Sequence, residues 1–448
     1  MKKHAISLLV CAAIMTTLCG CGGKTGSSVP RTPSNVQPDN DRVNPILEPE
    51  PEWGYYETDD GQLVLQSYRG KDKSLTIPAE LDGKPVKRLS TFFSIDNDVT
   101  TALKIPAALK DIGGIDAGDA LTEIIVEEGN EKYFTADGCL YEKMVYDTFS
   151  VVSLIRCPPG KKGGAAVADG TEYISSGAFE GCKYITAVDI PESVMSIAAS
   201  FIDCTSLTSV SLPEDVRISG YAFKGCTSLE TLDIPETVTD ISAHAFDDTP
   251  FLQKLIEQDP FVVINGILID ATTLKGEVTL PDNIETIAHS AFAPYYDSNT
   301  WLKKVTFPQG FIRVDYGAFV DCEALEEVVL PEGLEEIDMY AFDNCSGLKS
   351  IELPSSLTEI EMYAFRGCTS LTSVDIPNGV TYISSGAFQN CEALERVNIP
   401  DSVVYVGFGG CFEGCEKISV TFKGNAYTAA NIDDFYAAVE ENAQNEQE

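Results

Sequence analysis

The sequence contains few of the residues on which most enzyme chemistry depends. Its 448 residues include 3 histidines and 2 tryptophans. Apart from His4, the histidines are His244 and His289, so catalytic triads, histidine general bases and zinc-hydrolase sites lack their usual side chain. Carboxylate pairs among the 69 acidic residues stay open as an alternative. We therefore predict that the protein is not an enzyme.

Motifs for metals and nucleotides are missing as well. After residue 21 the sequence has no Cys-x-x-Cys pair, which argues against a zinc ribbon. It has no phosphate-binding glycine loop and no Gly-Gly-x-Gly-x-Asp calcium repeat. We predict that the protein has no cofactor and no metal site.

Basic residues are scarce, and this leaves a large negative charge. Lys+Arg number 31 against 69 Asp+Glu, giving a net charge of -38. Such a field keeps a protein soluble and repels nucleic acid and anionic membrane surfaces. Nucleic acid is therefore not expected as a partner. The charge fits either a solvated acidic surface or recruitment of cationic partners or Ca²⁺.

Long apolar runs are also missing, and the short one at the N-terminus predicts export. Lys2 and Lys3 precede an apolar run over residues 5–17, which favours a signal peptide over a retained transmembrane helix. The run ends in Leu-Cys-Gly-Cys, which resembles the lipobox of bacterial lipoproteins. That resemblance implies cleavage after residue 20 and lipidation of Cys21, with anchoring to the outer face of the bacterial cell envelope; a plain secretory signal is the alternative.

What the sequence has in abundance is a repeated block of about 23 residues. Each unit reads Ala-Phe-x-x-Cys-x-x-Leu-x-x-Val-x-Ile-Pro with small variations, and a fixed period of this length predicts a stacked solenoid. The repeated phenylalanines are Phe179, Phe201, Phe223, Phe246, Phe292, Phe319, Phe342, Phe365, Phe388 and Phe412. The cysteines three residues later predict a buried ladder of reduced thiols, one per coil: Cys182, Cys204, Cys226, Cys322, Cys345, Cys368, Cys391 and Cys415.

The pattern inside one unit predicts its local structure. Alternation at Val-x-Ile indicates a short, half-buried strand, and the following proline ends it because proline has no N–H to donate. A second apolar pair, such as Val380 and Ile383, precedes the next turn. We predict a β-rich solenoid of about 23-residue coils. Its parallel β-sheet lies on one face, and short turns or 3-10 segments lie on the other.

The chain divides into five predicted segments. A signal peptide (1–20) and a disordered, proline-rich tether (21–52) precede an N-terminal cap and degenerate repeats with a hairpin-like unit (53–170). Regular repeats (171–422) follow, with interruptions near 250–280 and 294–300, and a cap helix with an acidic tail (423–448) ends the chain. The N-terminal cap should be a hairpin over residues 55–68. The cap helix should begin behind Asn431, and residues 440–448 should fray.

The repeated unit resembles the BspA-type leucine-rich repeats of bacterial surface proteins, over about residues 54–436. Residues 137–160 are similar to the hairpin-like variant unit of that family, and residues 263–269 are similar to a shortened one. The resemblance implies a cell-surface binding protein, and some members are adhesins for host or extracellular-matrix proteins.

Candidate binding residues are those that stacking does not use. Tyr295, Tyr296 and Trp301 form a candidate binding loop where the period breaks, and Tyr221, Tyr340 and Tyr363 share a position two residues before the phenylalanine. Cys139 and Cys157 lie outside the cysteine ladder, and a disulfide between them is a hypothesis. The outward strand positions form a candidate binding strip of Asp189, Ser211, Asp233, Thr306, Val329, Glu352, Asp375 and Asn398.

Together these observations predict a lipid-anchored surface protein that mediates protein binding or adhesion. Its partner would be a host, matrix or envelope protein, and it would contact the membrane only through its N-terminal lipid. A structural or scaffolding envelope lipoprotein is the first alternative. A polysaccharide-capture or enzyme-associated lipoprotein is the second.

Overall fold

The repeat folds into a β-solenoid of about 15 turns with parallel sheets and a C-terminal helix, as predicted. The computed structural model describes residues 52–294, 298–407 and 410–445. The predicted signal peptide, Cys21, residues 21–51 and the last three residues lie outside this range, as do Tyr295 and Tyr296. In the described part, no helix has the length and apolar character needed to cross a membrane.

The elements fall into three groups along the chain. The N-terminal part contains β1 (Trp53–Glu57), β2 (Leu63–Tyr68), β3 (Ser74–Thr76), β4 (Glu80–Leu81), β5 (Lys84–Ile95), β6 (Ala102–Ile105), β7 (Asp111–Ile112), β8 (Ile115–Ala117), β9 (Glu123–Val126), β10 (Tyr133–Ala136), β11 (Cys139–Val145), β12 (Ser150–Arg156) and β13 (Gly163–Ala166). The regular repeats contain β14 (Tyr173–Ile174), β15 (Ile185–Asp189), β16 (Ser196–Ile197), β17 (Ser209–Ser211), β18 (Arg217–Ile218), α1 (Pro250–Gln258), β19 (Val262–Ile264), β20 (Ile267–Asp270), β21 (Gly276–Thr279), β22 (Thr286–Ile287), β23 (Leu302–Thr306), β24 (Arg313–Val314), β25 (Glu327–Val329), β26 (Glu336–Ile337), β27 (Glu359–Ile360), β28 (Ser373–Asp375), β29 (Tyr382–Ile383), β30 (Arg396–Asn398), β31 (Tyr405–Val406) and β32 (Ser419–Phe422). The C-terminal part contains β33 (Asn425–Thr428), a 3-10 turn (Ala429–Asn431) and α2 (Ile432–Asn445).

Most repeat coils build two ladders of parallel strands. The Val-x-Ile strands and their equivalents form the parallel ladders β13–β15–β17, β21–β23–β25 and β28–β30–β32, and β33 pairs antiparallel with β32 at the end of the last one. The second apolar pair of each unit forms two-residue strands that also pair in parallel, most continuously in β24–β26–β27–β29–β31. The sequence predicted the first ladder. It indicated the second only as an apolar pair, because two residues are too few to show an alternation.

The repeated phenylalanines stack along the core. Their rings are parallel to those of the neighbouring coils, with centroids 5.4 Å apart for Phe342 and Phe365 and 5.2 Å apart for Phe365 and Phe388. Both side chains of the second pair are fully buried. Buried aromatic rings remove large apolar areas from water, so this column contributes much of the stability of the stack.

The repeated cysteines bind the coils to one another. The Cys204 thiol donates to the carbonyl of Phe179 in the preceding coil at 3.1 Å, and Cys368 donates in the same way to Phe342 at 3.3 Å. All eight ladder cysteines are buried and free, as predicted. Cys411, which the repeat pattern did not account for, is also buried and replaces the alanine before Phe412.

Two short hairpins interrupt the parallel stack. Strands β10 and β11 pair antiparallel across Asp137-Gly138, and β19 and β20 pair antiparallel across Asn265-Gly266. Each turn has positive φ at both residues, as two-residue hairpins require. Both hairpins overlap the passages that resemble variant units, although β10 lies before residue 137.

Polar residues replace the ladder cysteine where the repeat is irregular. Thr249 stands three residues after Phe246, and its hydroxyl caps α1 by accepting the Leu252 N–H at 3.1 Å. Asn299 is fully buried three residues before Leu302, the cysteine position of its coil, and its amide donates to the Phe292 carbonyl at 2.6 Å. Asn299 therefore fills the cysteine position of a coil with four extra residues. Its hydrogen bond goes to the phenylalanine of its own coil, whereas the ladder cysteines donate to the preceding coil.

Both ends of the described stack are covered. At the N-terminal end β1 pairs antiparallel with β2, which confirms the predicted hairpin. At the C-terminal end α2 buries Phe435 and Val439. Asn431 does not cap α2 in the predicted way: its side chain accepts the N–H of Thr428 at 2.8 Å.

The predicted fraying of residues 440–448 is wrong for the described residues, since α2 runs to Asn445. Asn442 is 3% exposed and donates to the carbonyls of Asp401 and Val403 at 3.1 and 2.9 Å. The end of the helix is therefore fixed to the last coils. The amphipathic pattern identified the helix, but it could not show that a single asparagine would hold its C-terminal turn.

Candidate binding surfaces

The outward strip lies on the surface of the Val-x-Ile ladder, as the strand alternation predicted. Seven of its eight residues are exposed, and Thr306 is half-buried. Adjacent strip residues are direct partners in the parallel register, as in Asp189 with Ser211, Thr306 with Val329, and Asp375 with Asn398. The ladder therefore presents these side chains at the spacing of neighbouring strands, about 4.8 Å.

Hydrogen bonds along the strip orient its carboxylates. The Ser211 hydroxyl donates to Oδ1 of Asp189 at 2.5 Å, and the Asn398 amide donates to Asp375. Four of the eight side chains are acidic, and Val329 is apolar and 39% exposed. The strip is thus an ordered acidic surface.

The strip crosses more than one sheet, whereas the sequence predicted a single one. Asp233 and Glu352 lie on coils whose Val-x-Ile segment forms no strand. A second outward column, two residues earlier on each strand, was not identified from the sequence: Ala187, Ser209, Lys304, Glu327, Ser373 and Arg396. The strand alternation that predicted the strip also predicts this column, since residues two apart on a strand lie on the same face of the sheet.

The candidate loop contributes one described aromatic residue. Trp301 is half-buried, with the Lys275 ammonium 5.7 Å from its ring centroid and its carbonyl accepting the Gly276 N–H at 2.9 Å. Its indole nitrogen is buried and has no hydrogen-bond partner among the described residues. Trp301 is therefore half-buried against the preceding coil, and Tyr295 and Tyr296 lie outside the described residues.

A cavity of about 1210 Å³ lies beside the second hairpin. Ring pairs line two of its walls: Tyr221 with His244, whose centroids are 6.0 Å apart, and His289 with Tyr316, 5.0 Å apart. Both histidines that follow His4 therefore lie at one place. The hairpin interrupts the stack between these ring pairs, and this separation opens the cavity.

Charged groups in this cavity are mainly carboxylates. Arg313 binds Asp315 at 3.0 Å, and burial raises the pKa of Asp315 even though this arginine opposes the shift. The pKa of His289 is lowered because the surrounding walls disfavour its charged form, although part of the ring is open to the cavity. Because His289 is neutral and Arg313 is paired with Asp315, the described lining of this cavity does not favour an anion.

The tyrosines at the shared position pack across the turns of successive coils. Tyr340 and Tyr363 have φ of 58° and 59°, and their rings lie 5.3 Å apart. The guanidinium of Arg366 covers both rings at 5.3 and 4.8 Å and pairs with Asp343. These tyrosines are half-buried by this cluster, so they contribute to stacking as well as to the surface.

The remaining cysteines form no metal site. In the part of the chain that the structure describes, no group of three His, Cys, Asp or Glu side chains could hold a metal ion. Cys139 and Cys157 are buried free thiols, so the hypothesised disulfide is not present. Burial raises the pKa of the Cys157 thiol, and hydrogen bonds with Cys139 and Cys182 add to the shift. The sequence correctly predicted that Cys139 and Cys157 lie close together, but it could not show that the Cys182 thiol lies beside them.

Comparison with known proteins supports the repeat assignment. The profile described as BspA type leucine rich repeat region matches six copies, over residues 165–266 and 294–419. These ranges cover just over half of the chain. A search of curated proteins returns no match.

Solved structures with a similar fold come from several bacteria. A leucine rich cell surface protein from Faecalibacterium prausnitzii is 21% identical, with 86% of this chain and 96% of that chain covered and a TM-score of 0.35. A leucine-rich repeat protein from Bacteroides ovatus is 23% identical, with coverage of 83% and 99% and a TM-score of 0.34. The pneumococcal vaccine antigen PcpA is 17% identical, with coverage of 86% and 94% and a TM-score of 0.34.

Proposed function

Because the chain belongs to the BspA-type leucine-rich-repeat family, we propose that it is a cell-surface protein that binds another protein through its outward strip. Binding involves no catalysis in this proposal. The observation that carries it is the register of the strip, in which acidic side chains are direct neighbours of a hydroxyl or an amide on the next coil. An extended surface of this kind makes many weak contacts to one partner at the same time.

Charge complementarity defines the partner. The strip carries Asp189, Asp233, Glu352 and Asp375, and the whole chain has a net charge of -38. A partner with a basic face is attracted over the distance of the Debye length and oriented before contact. Affinity should therefore fall with rising salt, chiefly through slower association.

Anchoring is the second part of the proposal. Residues 1–20 act as the signal peptide, and Cys21 carries the lipid that holds the protein to the outer face of the bacterial cell envelope. Residues 21–52 are the predicted proline-rich tether between this lipid and the solenoid.

Charge reversal on the strip tests the binding proposal. The double variant Asp189→Lys/Asp375→Lys should lose binding to basic matrix proteins and to host cells. Glu359→Lys is the matched control, because Glu359 is exposed on the second ladder and lies outside the strip. Equal binding by the double variant and the wild type would refute the role of the strip. Capture of envelope proteins from the same bacterium, with no binding to matrix or host cells, would favour a scaffold.

Anchoring has its own test. Cys21→Ser should release the protein from the membrane fraction into the medium, while Cys19→Ser should leave it attached. Membrane retention of the Cys21→Ser protein would contradict lipid anchoring and would leave the binding proposal untouched. Metabolic labelling with a fatty acid should mark the wild type and miss Cys21→Ser.

A further inference from the structure

Arg156 is the sole basic side chain that is buried among the described residues. It ends strand β12 in the first hairpin unit and is 8% exposed. Its Nη1 donates to the carbonyl of Gly177 at 2.5 Å, while its Nε is buried and has no partner in the described part of the chain. No described carboxylate forms an ion pair with it.

This arrangement is unusual because a buried cation is costly without a counter-ion. Buried charges in proteins are normally paired and hydrogen-bonded, and a buried unpaired one costs several kcal/mol. The chain has 69 acidic residues, yet none of those that the structure describes forms an ion pair with this guanidinium. The geometry therefore points to a counter-ion that comes from outside the chain.

Arg156 lines an open cavity of about 770 Å³. The cavity lies between β8, the end of β12 and the turn that follows β14, and it shares no residue with the outward strip. Its size suits a small ligand of one or a few rings. The guanidinium offers the planar donors that bind a carboxylate through two parallel hydrogen bonds.

The remaining lining distinguishes between kinds of anion. Asp116, Asp119, Glu142, Glu180 and Asp203 also line the cavity, and Lys183 is the second cation of the lining. These carboxylates would repel an anion with a dense charge, such as phosphate, more strongly than a ligand with a single carboxylate. A ligand that carries hydroxyl groups beside its carboxylate would instead donate to these oxygens. The hydroxyls of Ser175 and Ser176 line the same wall, and neither is bonded to another described residue.

An apolar surface completes the site. Phe92 is 83% exposed, the highest value among the large apolar side chains of the described residues, and it lies at the rim of the cavity. An exposed aromatic ring next to a polar pocket gives the C–H face of a sugar ring a surface on which to stack.

We propose that this cavity binds an acidic sugar residue of the hexuronic acid type. Its carboxylate pairs with Arg156, its hydroxyls bond to the serines and the carboxylates, and its ring packs on Phe92. The cavity shares no residue with the protein-binding strip. An experiment can therefore refute the sugar-binding proposal without refuting the protein-binding proposal, and the reverse. It would give the protein a glycan contact in addition to a protein one.

Three small ligands test the assignment on the purified protein, by calorimetric titration or chemical-shift titration. Glucuronate should bind, and glucose and acetate should each bind at least tenfold more weakly, because each lacks one half of the recognised group. Glucose binding as tightly as glucuronate would overturn the carboxylate contact. Acetate binding as tightly as glucuronate would overturn the sugar contact.

Substitutions then locate the site. Arg156→Gln should weaken glucuronate binding roughly tenfold to a hundredfold, the effect of losing charge-assisted hydrogen bonds. Arg217→Gln is the matched control, since Arg217 pairs with Asp240 on the surface and does not line this cavity. Unchanged binding by Arg156→Gln would overturn the proposal.

A second variant keeps the test valid if Arg156→Gln folds poorly. Phe92→Ala removes an exposed side chain and should leave the fold intact. It should weaken glucuronate binding several-fold while leaving the thermal midpoint of the free protein unchanged. Glucuronate affinity equal to that of the wild type would contradict stacking on Phe92.

Discussion

Arg366 Nε donates to Oδ1 of Asp343 at 2.8 Å and so joins two successive coils through a carboxylate that is 2% exposed. The arginine side chain is 33% exposed, so the two partners are unequally buried. The guanidinium also lies over Tyr340 and Tyr363. Removing Arg366 therefore leaves a buried carboxylate without its partner, whereas removing Asp343 leaves a guanidinium that is partly exposed to water.

Arg366→Gln should destabilise the protein more than Asp343→Asn at neutral pH. The first variant leaves a buried, unpaired carboxylate and should cost about 3 kcal/mol. The second leaves a partly hydrated guanidinium and should cost about 1 kcal/mol. Chemical denaturation of both single variants and the double variant measures the difference. Equal costs would contradict the asymmetry in burial.

The cost of Arg366→Gln should shrink in acid. Burial raises the pKa of Asp343 above its ordinary value. A raised carboxyl pKa in the folded state means that the native protein binds the proton more readily than the unfolded chain. Above the folded-state pKa, ionised Asp343 therefore lowers the stability of the native protein. This cost is lost as the pH falls through the folded-state pKa towards 4. Repeating the denaturation at pH 7 and near pH 4.5 checks this.

Phe365→Ala should remove a central ring of the stacked column. Its neighbours lie 5.4 and 5.2 Å away on either side, and it is fully buried. Truncation of a buried phenylalanine costs roughly 3–5 kcal/mol. The exposed Phe92→Ala should change the free energy of unfolding by less than about 0.5 kcal/mol. A small effect at Phe365 would mean that neighbouring coils close the space it leaves.

The ladder thiols should resist alkylation in the folded protein. Burial raises the pKa of Cys322, Cys345 and Cys368, and the thiolate is the reactive form. Iodoacetamide at pH 8 followed by mass spectrometry should leave these three unmodified in buffer and label them in denaturant. Labelling in buffer at a rate close to that of the unfolded chain would show that the coils open readily.

Asp270 should contribute to the pH dependence of stability. It is 9% exposed, accepts two hydrogen bonds from Thr272, and burial raises its pKa in spite of them. Because the folded pKa is the higher one, ionised Asp270 lowers stability above that pKa, and this cost is lost on acidification. When the pH is lowered from 7 to 4.5, the free energy of unfolding should therefore rise less for Asp270→Asn than for the wild type. Identical gains would exclude this carboxyl as a source.

The sequence predicted the solenoid because the repeat pattern occurs many times. A structural feature that occurs in one coil only has no such pattern to identify it. The period placed Phe365 and Cys368 correctly, since identical positions in adjacent coils must meet in a stack. Asn299 could not be identified as a core residue, because an insertion hid its alignment with the ladder cysteines. Thr249 was also missed: its role depends on α1, which interrupts one coil.

The candidate sites show the same limit. Strand alternation was sufficient to place Asp375 and Asn398 on the surface, since alternate side chains point to opposite faces. Trp301 was a candidate binding residue because it belongs to an irregular loop, yet it is half-buried, with the Lys275 ammonium over its ring. Nothing in the local sequence marks Arg156. Its significance lies in the lack of an ion-paired carboxylate among the described residues, and that depends on residues far apart in the chain.

The two kinds of coil also differ in how the protein can change length. Between Phe319 and Phe388 each coil makes the same ring and thiol contacts as its neighbours and joins the same ladder of two-residue strands. A whole unit duplicated or deleted there would leave every junction equivalent, so the gene can gain or lose length in steps of one coil. The hairpin at Asn265-Gly266 has different surfaces on its two sides, and a change of length there would separate partners that no other coil supplies. We therefore expect changes in the length of the solenoid to occur among the regular coils, while the hairpin units stay unchanged.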